Sequence, residues 1–342
     1  TSVVTVTTDT LGTTKNLTAQ RYRPTLIYIN ESTMLDSSVE VTNLQVRSAN
    51  VTGLELLRTA SASLSSFRNT SFSFERMTIG VVSFDTRNED DVRVLSLGHL
   101  GGTFDNETTI TFEEITVTHF DTPRSVVFFP RSRRIELIAL GTGNGSSTAS
   151  RRTDPLVFVN DINIDWGSSV VMVIIHHAFH NGFVRLERIA TPATHTIRAP
   201  KRLQLLRTHT LNDEVEDLSL QVRDCNITTK DNITIFQNEA DLISLATNVI
   251  PNAQLVLEGN TFAVQEGGGS PSNFIGVSDV RSRSVNKVAQ LLLVSNNTFG
   301  NIHPIEFGAQ LEKFTAVQFA GCNYFMDASP LRYATFTASY PS

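Results

Sequence analysis

The sequence predicts an all-β chain folded as a parallel β-solenoid of roughly nine coils. Two segments, Leu255–Phe262 and Leu292–Phe299, share the pattern apolar, any, apolar, any, any, Asn, Thr, Phe. Repeats at such a period are typical of stacked structural units rather than of a compact globule. The alternating apolar residues indicate strands, because successive side chains of a strand face opposite sides. The chain has no amphipathic helical pattern longer than about two turns.

A looser form of the motif keeps its alternating apolar residues on either side of a two-residue gap. Its nine copies begin at Val39, Phe72, Ile110, Val157, Val184, Leu220, Leu255, Leu292 and Val317. Their spacing is irregular, which disfavours helical hairpin repeats of fixed length. The gap changes which face points inward, so we expect a bend there. Asn is a residue that tolerates the left-handed backbone of such a bend.

Further apolar segments between the motif copies supply the other strands of each predicted coil. They are Gly53–Leu57, Val126–Phe129, Ile135–Leu140, Val170–Ile175, Leu203–Leu206, Phe274–Val277 and Ile305–Phe307. Many are bounded by Gly, Asn, Ser, Thr or Pro, as strands commonly are. A pair of β-sandwiches is the competing architecture. It would need tight antiparallel hairpins, but the turn signals Asn-Gly and Asp-Gly occur only at Asn144-Gly145 and Asn181-Gly182.

Stacked coils predict columns of identical side chains. With coils ~4.8 Å apart, Phe262 would lie beneath Phe299, and Asn260 beneath Asn297. Each Asn amide could then donate a hydrogen bond to the next one. We therefore expect a buried ladder of Asn260 and Asn297.

The two cysteines, Cys225 and Cys322, occupy the position that Asn holds in the clear motif copies. Three coils separate them, which is ~14 Å along the axis. A disulfide needs Cα atoms within roughly 7 Å. We therefore expect two free, buried thiols, and a bond between them would contradict this alignment.

Composition bounds the class of protein. The chain has 342 residues, of which 40% are hydrophobic, and a net charge of −6. A solenoid of this size forms one elongated domain over residues 1–342, which we expect to belong to a longer precursor or assembly. The net charge disfavours nucleic acid as a partner. No apolar run reaches the ~18 residues of a membrane span, and no pattern calls for a cofactor.

Asn-x-Ser/Thr, the acceptor sequence for N-glycans, occurs nine times in the chain. The asparagines are Asn16, Asn30, Asn50, Asn69, Asn106, Asn144, Asn226, Asn232 and Asn296. Polar turn chemistry is the alternative explanation. The repeat alignment places Asn226 and Asn296 between inward positions, so both should face solvent, as acceptors must. Glycans would place the protein in the secretory pathway.

The densest titratable cluster is His176–Asn181, which follows a predicted strand. His176 and His180 would share one face of a continued strand and are the candidates for a metal site or a proton-transfer pair. No supporting carboxylate is identifiable from spacing, and a loop with solvated imidazoles is the alternative. We therefore predict no metal site.

Carboxylates decide whether the chain is a polysaccharide-cleaving enzyme, since such hydrolases use an acid and a base on adjacent coils. The candidates are Asn88–Asp91, Asp161 and Asp165, and none gives a repeated pair. A lyase would instead need calcium ligands and an Arg or Lys base. Three Arg-rich runs, at 131–134, 151–152 and 281–283, could bind acidic glycans or lie solvated on the surface.

The two Asn-Thr-Phe copies resemble those of right-handed parallel β-helix proteins. More narrowly, they look like the repetitive surface glycoproteins of kinetoplastid parasites called the dispersed gene family. The resemblance covers roughly residues 217–325 and implies a β-helical, glycosylated and adhesive protein. It carries over no catalytic residue.

These observations predict an extracellular structural or adhesive glycoprotein without catalytic activity, belonging to a cell surface, coat or filament. Its expected partners are other subunits of the same or a related protein, in end-to-end or lateral contact, and surface glycans. A carbohydrate-active β-helix enzyme, either a hydrolase or a lyase, is the alternative. It would show a groove with two or more carboxylates from neighbouring coils roughly 5–10 Å apart.

Overall fold

The structure is a computed structural model of the whole chain. It describes residues 3–7, 11–13, 25–29, 33–48, 54–59, 66–81, 92–105, 107–119, 133–140, 155–166, 169–175, 179–180, 182–192, 200, 202–208, 215–216, 218–230, 232–238, 254–265, 275–276, 289–300 and 314–326.

Strands account for nearly all of these residues. The first third of the chain contains β1 (Val3–Thr7), β2 (Leu11–Thr13), β3 (Thr25–Ile29), β4 (Thr33–Leu35), β5 (Ser38–Thr42), β6 (Gln45–Ser48), β7 (Leu54–Thr59), β8 (Ser66–Arg68), β9 (Ser71–Val81), β10 (Val92–Leu100), β11 (Thr103–Phe104) and β12 (Thr109–His119). The middle contains β13 (Arg133–Leu140), β14 (Leu156–Asp165), β15 (Ser169–Ile175), β16 (Phe179–His180), β17 (Phe183–Glu187), β18 (Arg202–Thr208), β19 (Val215–Glu216), β20 (Ser219–Arg223), β21 (Asn226–Thr229) and β22 (Asn232–Asn238). The last part contains β23 (Gln254–Glu258), β24 (Thr261–Val264), β25 (Ile275–Gly276), β26 (Ala289–Ser295), β27 (Thr298–Gly300), β28 (Phe314–Ala320) and β29 (Tyr324–Met326).

The first sheet carries the repeat. Its main path of neighbouring strands is β1-β5-β9-β12-β14-β17-β20-β23-β26-β28, with β2 and β6 beside it. The nine predicted motif copies begin on the nine strands after β1, and their first residues pair one to the next in unbroken register. We call the strand or strands of one motif copy a row. β1 and β2 pair with β5 and β6 and form an equivalent row at the start of the sheet. The first sheet thus adds one row to the nine predicted.

A bend interrupts each motif copy and redirects the chain. In β9, β12 and β14 the strand continues through the bend, whereas the rows that begin with β20, β23, β26 and β28 split into two strands. The second strands form a four-stranded sheet in the order β21-β24-β27-β29. Phe262 pairs with Phe299 in this sheet, and their rings stack with centroids 6.0 Å apart, as the repeat predicts.

The second sheet contains eight strands in the order β25-β22-β18-β15-β13-β10-β7-β3. Every residue of the segment Ile135–Leu140 is buried, although neighbouring side chains of a strand face opposite sides. Both faces of the sheet are therefore covered at β13, whereas Tyr28 of the edge strand β3 is 58% exposed. Ala139, Val171 and Ile174 form a small apolar cluster apart from the main core, while the remaining apolar side chains contribute to the large core between the sheets.

Two small sheets complete the arrangement, β11-β8-β4 and β16-β19. Among the described strands all pairs are parallel, so the antiparallel sandwich alternative is wrong for this part of the chain. The fold is all-β, with parallel strands in long sheets, and it is consistent with a β-solenoid class.

Five of the additional predicted strands are present, as β7, β13, β15, β18 and β25. The predicted segments Val126–Phe129 and Ile305–Phe307 lie outside the described residues. The repeat pattern does not predict β10 or β22, which have a strand on either side in the second sheet. Their sequences carry Arg, Ser, Gly, His, Asn and Gln among the apolar residues, which hides the strand pattern.

Candidate functional site

One column of side chains follows the inner side of the bend from row to row. We call it the ladder column, and its members are Leu44, Met77, Ile115, Ile162, Ile189, Cys225, Asn260, Asn297 and Asn323. All are buried except Asn323, which is partly buried. The column is apolar in its first five rows and polar in its last three, with Cys225 between the two parts.

The predicted amide ladder is present in the last rows. The Nδ2 of Asn260 donates to Oδ1 of Asn297 at 2.8 Å, and the backbone N–H of Asn260 donates to the same oxygen at 3.0 Å. Oδ1 of Asn323 accepts from the backbone N–H of Asn297 at 3.1 Å and from its Nδ2 at 3.3 Å. Each oxygen therefore binds the backbone of the preceding row.

The amide nitrogens satisfy backbone carbonyls in the same repeating manner. Asn260 donates to the carbonyl of Val222 at 2.9 Å, Asn297 to Leu257 at 2.9 Å, and Asn323 to Val294 at 3.1 Å. These carbonyls belong to residues that pair with each other in the first sheet. Buried amides are tolerated only when bonded in this way, so the ladder has a structural role.

Cys225 extends the column with a thiol in place of an amide. Its backbone N–H donates to Oδ1 of Asn260 at 3.0 Å. The single hydrogen of its thiol has two carbonyl acceptors within reach of Sγ, those of Arg223 at 3.2 Å and Leu186 at 3.8 Å. Burial raises the pKa of the Cys225 thiol to about 12, although a backbone hydrogen bond from Ile189 acts in the opposite direction. The thiol is free and stays protonated, as a small core group does.

The prediction of a second buried thiol is wrong, because Cys322 is free but exposed. The last bend holds one residue more than the bend before it, since Ala320 pairs with Ser295 and Tyr324 with Thr298. Asn323 therefore takes the ladder position that the motif assigned to Cys322. The backbone N–H of Cys322 donates to Oδ1 of Asn296 outside the core, at 3.0 Å.

The outer side of the bend is a second column, in which each backbone is left-handed. Its members are Asn43, Arg76, Glu114, Asp161, Arg188, Asp224, Gly259, Asn296 and Gly321. Arg and Glu are uncommon in this conformation, so the stacked rows impose it where the residue does not favour it. At Gly259 space is limited as well, because a Cβ there would displace the Asp224 carboxylate.

The strongest polar contact of the outer column joins Arg188 to Asp161. The guanidinium donates to both carboxylate oxygens, at 2.7 and 2.8 Å. The hydrogen bond from Arg188 lowers the pKa of Asp161, and the pKa of Arg188 is raised. Asp161, a candidate for polysaccharide hydrolysis, is thus held in an ion pair between rows. Asp165 is partly buried, and Asn88–Asp91 lie outside the described residues.

Glu55 and Glu136 form a carboxylate pair that the sequence pattern did not predict. Ser96 of β10 pairs with Glu55 of β7 on one side and with Glu136 of β13 on the other. The two glutamates therefore lie in one column of the second sheet, with β10 between them. Their exposed fractions are 1% and 2%, so a polysaccharide cannot reach either carboxylate. The alternating pattern gives no signal for this burial, because a polar residue between two apolar residues of a strand ordinarily lies on the face away from the core.

The metal candidates fall largely beyond what the structure describes. His176 lies outside the described residues, and His180 belongs to β16, where its backbone pairs with Glu216 of β19. Within the described ranges, no three His, Cys, Asp or Glu side chains are grouped to hold a metal ion. Of the Arg runs, only Arg133 and Arg134 are described, as the start of β13.

The sequons divide by position. Asn226 and Asn296 are exposed, on the outward side of the bend two rows apart, and Asn69 is exposed at a different left-handed bend. Asn232 belongs to β22, where only its backbone is described. Five sequons lie outside the described residues, namely Asn16, Asn30, Asn50, Asn106 and Asn144.

The exposed sequons differ in which amide atom is already bonded. Asn296 accepts its hydrogen bond through Oδ1, so this bond does not use Nδ2, the nitrogen that would carry a glycan. Asn69 donates its Nδ2 to Asp36 at 2.7 Å, so a glycan there would compete with this bond. The geometry therefore favours Asn226 and Asn296 over Asn69 as acceptors.

Among the described residues there is no helix long and apolar enough to cross a membrane. Comparison with known protein families, with curated proteins and with solved structures finds no match. Function is therefore inferred from the geometry of this chain.

Proposed function

We propose that this protein is an extracellular structural or adhesive glycoprotein of a cell surface, coat or filament, without catalytic activity. The observation that carries the proposal is the difference between the inner and outer sides of the bend. Its inner column holds bonded amides and apolar groups, and its outer column holds inter-row polar contacts next to the exposed sequons. Such an arrangement favours a scaffold that presents its outer face.

The proposal includes the finer architecture, a single right-handed parallel β-helix with one coil per row. It is supported by the unbroken parallel register of the motif copies in the first sheet and by the parallel pairing of every strand in the second. Connections between parallel strands of one sheet are right-handed in nearly all proteins. Each row would then form one turn of the solenoid, and the bend would be one of its corners.

Glycans on Asn226 and Asn296 would project from this corner, away from the core. The proposed partners are surface glycans and other subunits, which would bind the outward faces of the rows. The adhesive role follows from the resemblance to repetitive surface glycoproteins, and the exposed sequons are compatible with it.

The test is intact-mass measurement of the full chain after secretion from a eukaryotic host, before and after enzymatic removal of N-glycans. We expect a mass loss, and peptide mapping should locate glycans at Asn226 and Asn296 with lower occupancy at Asn69. The variant with Asn226→Gln and Asn296→Gln is the matched control and should lose the part of the mass change that these two sites contribute. A secreted chain with no mass change would refute the glycoprotein proposal.

A further inference from the structure

Three apolar side chains form a group on the outer face of the first sheet, in the rows of β14 and β17. Leu156, Phe158 and Phe183 occupy outward positions that alternate with buried aliphatic residues, and all three are partly exposed. Leu156 pairs with Phe183 across the two strands. The rings of Phe158 and Phe183 are in contact, with centroids 5.6 Å apart and planes tilted by 50°. We call these three residues the aromatic patch. Single apolar side chains on a surface are ordinary, whereas a contiguous group indicates a binding surface.

Hydroxyl and amide side chains border the aromatic patch on both sides along the stack. In the preceding strand, β12, Thr109 and Thr111 pair with patch residues. In the following strand, β20, Ser219 pairs with a patch residue, and Gln221 lies at the next outward position. All four are partly exposed. Hydroxyl and amide groups both donate and accept hydrogen bonds. The patch is therefore an apolar surface framed by groups that can bind the hydroxyls of a ligand.

A fixed ion pair lies at a further edge of the aromatic patch. Arg185 pairs with Phe158 in the register of the sheet. Its guanidinium forms an ion pair with Glu187, which also binds Arg188. These contacts restrain the Arg185 side chain, whose exposed fraction is 33%. A polar group that is already held in place loses less conformational entropy when it binds a ligand.

The dimensions of the aromatic patch set the size of its ligand. The patch covers two neighbouring strands, ~4.8 Å apart, and two residues along β14, which is ~7 Å. A stable protein–protein interface buries about 800 Å² on each partner, and three side chains provide only a small part of that area. A pyranose ring fits these dimensions. It has an apolar face of C–H groups that can pack on an aromatic ring, and a rim of hydroxyls that can reach the polar neighbours.

The charge around the aromatic patch discriminates among sugars. In the rows of β12, β14 and β17, five carboxylates outnumber two guanidinium groups, namely Glu113, Glu114, Asp161, Asp165 and Glu187 against Arg185 and Arg188. A net negative field disfavours ligands of the same sign. Sialylated and sulphated sugars are anionic, so the patch is better suited to an uncharged sugar.

We propose that the aromatic patch binds one sugar unit of an uncharged glycan. The two rings would lie against the C–H face of the sugar, and Thr111, Gln221 and Arg185 would bind its hydroxyls. The inference rests on the adhesive role proposed above and gives that role a site and a class of ligand. It does not depend on glycans carried by the chain itself, so it is tested with the deglycosylated protein.

The test is binding of the deglycosylated full chain to a printed array of unsubstituted glucose, mannose, galactose and xylose oligosaccharides, with sialylated and sulphated oligosaccharides on the same slide. We expect binding to at least one uncharged oligosaccharide and weaker binding to the charged ones. Isothermal titration calorimetry then measures the affinity for the uncharged oligosaccharide. Phe158→Thr and Phe183→Thr should each weaken it by about tenfold, because each removes a ring and keeps a residue suited to a strand.

Matched variants separate the rings from the surface around them. Val256→Thr is the control, because Val256 lies partly exposed in the same outward column, three rows from Phe158. It should bind like the wild type. Phe183→Tyr keeps the aromatic face and should retain binding. Thr111→Val exchanges a hydroxyl for a methyl group and should weaken binding several-fold. Circular dichroism checks folding, and Thr111→Val decides the matter if a Phe→Thr variant does not fold.

Four results would overturn the proposal. The chain could bind no uncharged oligosaccharide, or the charged oligosaccharides could bind more strongly. Phe158→Thr could bind as tightly as Val256→Thr, which would refute this site and leave the adhesive role standing. Sedimentation equilibrium could show self-association that is lost in the variant with both Phe158→Thr and Phe183→Thr, which would assign the patch to a protein contact. The mass change on deglycosylation is independent of all four, so the glycoprotein proposal stands or fails separately.

Discussion

The early and late rows of the ladder column build the same bend with different chemistry. In the early rows the inner position is Leu, Met or Ile, and polar contacts between rows lie outside, as between Arg188 and Asp161. In the late rows polar contacts also lie inside, between asparagine amides, beside outer contacts such as that of Cys322 with Asn296. The left-handed backbone is nevertheless the same in both. The stacked backbone thus determines the shape of the bend. The inner side chain can be apolar or polar, provided that a polar one is hydrogen-bonded.

The largest effect should come from replacing an inner amide with an apolar group of similar size. Asn297→Leu removes the acceptor of Asn260 and the donor to the Leu257 carbonyl, leaving buried backbone groups without partners. We expect a loss of about 3 kcal/mol in the free energy of unfolding, measured by urea denaturation.

The matched control for that change is Ile162→Leu in the same column. It exchanges one buried apolar side chain for another and should cost less than about 1.5 kcal/mol. Equal losses at the two positions would show that the late rows depend on packing and not on the ladder bonds.

A smaller effect is expected at the outer side of the bend. Gly259 has φ +68°, and an added Cβ would meet the Asp224 carboxylate. Gly259→Ala should therefore cost about 1–2 kcal/mol from the left-handed backbone, plus the collision, in thermal unfolding.

Two further variants separate these causes. Asp224→Ala removes the carboxylate that an added Cβ would meet. In that background, Gly259→Ala should destabilise the chain only by the cost of the left-handed backbone. In the early rows, Glu114→Gly relieves a non-glycine left-handed residue with φ 53° and should have the opposite sign to Gly259→Ala. If Glu114→Gly destabilises the chain, the backbone at that row does not carry the strain that its φ indicates.

Cys225, where the two parts of the column meet, predicts an alkaline pH dependence. Burial raises the pKa of its thiol to about 12, so the folded chain keeps the proton at pH values where the unfolded chain has lost it. This contribution is complete below the unfolded pKa and is lost as pH rises toward the folded pKa. Between about pH 8 and pH 10 the wild type should lose roughly 1.5 kcal/mol more than Cys225→Ala, measured by urea denaturation at both pH values. Parallel losses in the two proteins would contradict the raised pKa.

The smallest effect should come from the outer ion pair. Arg188 lowers the pKa of Asp161, so the pair contributes stability above the unfolded pKa of Asp, and this stability is lost as pH falls through the folded pKa. Both side chains are more than a third exposed, so Asp161→Asn should cost only about 0.5 kcal/mol at neutral pH. Urea midpoints at neutral and acid pH would measure it. Arg188→Lys, which keeps the charge but loses the two-pronged geometry, should fall between the wild type and Asp161→Asn.

Local sequence alone determined the row register. Alternating apolar residues place one set of side chains inward, and stacking aligns identical motifs, so the copies from Val39 through Val317 align by their sequence pattern. The same pattern determined the ladder of Asn260 and Asn297, because like amides bond to each other when stacked. These features depend on side-chain periodicity within a row, which the chain carries locally.

Tertiary structure alone decided which residues leave that pattern. The extra residue in the last bend puts Asn323 inside and Cys322 outside, although the motif assigns the inner position to Cys322. Glu55 and Glu136 are buried because the second sheet is covered on both faces around them. The physical reason is common to these cases. Burial of a side chain depends on the rows before and after it and on what covers its face, and neighbouring positions in the sequence do not encode those contacts.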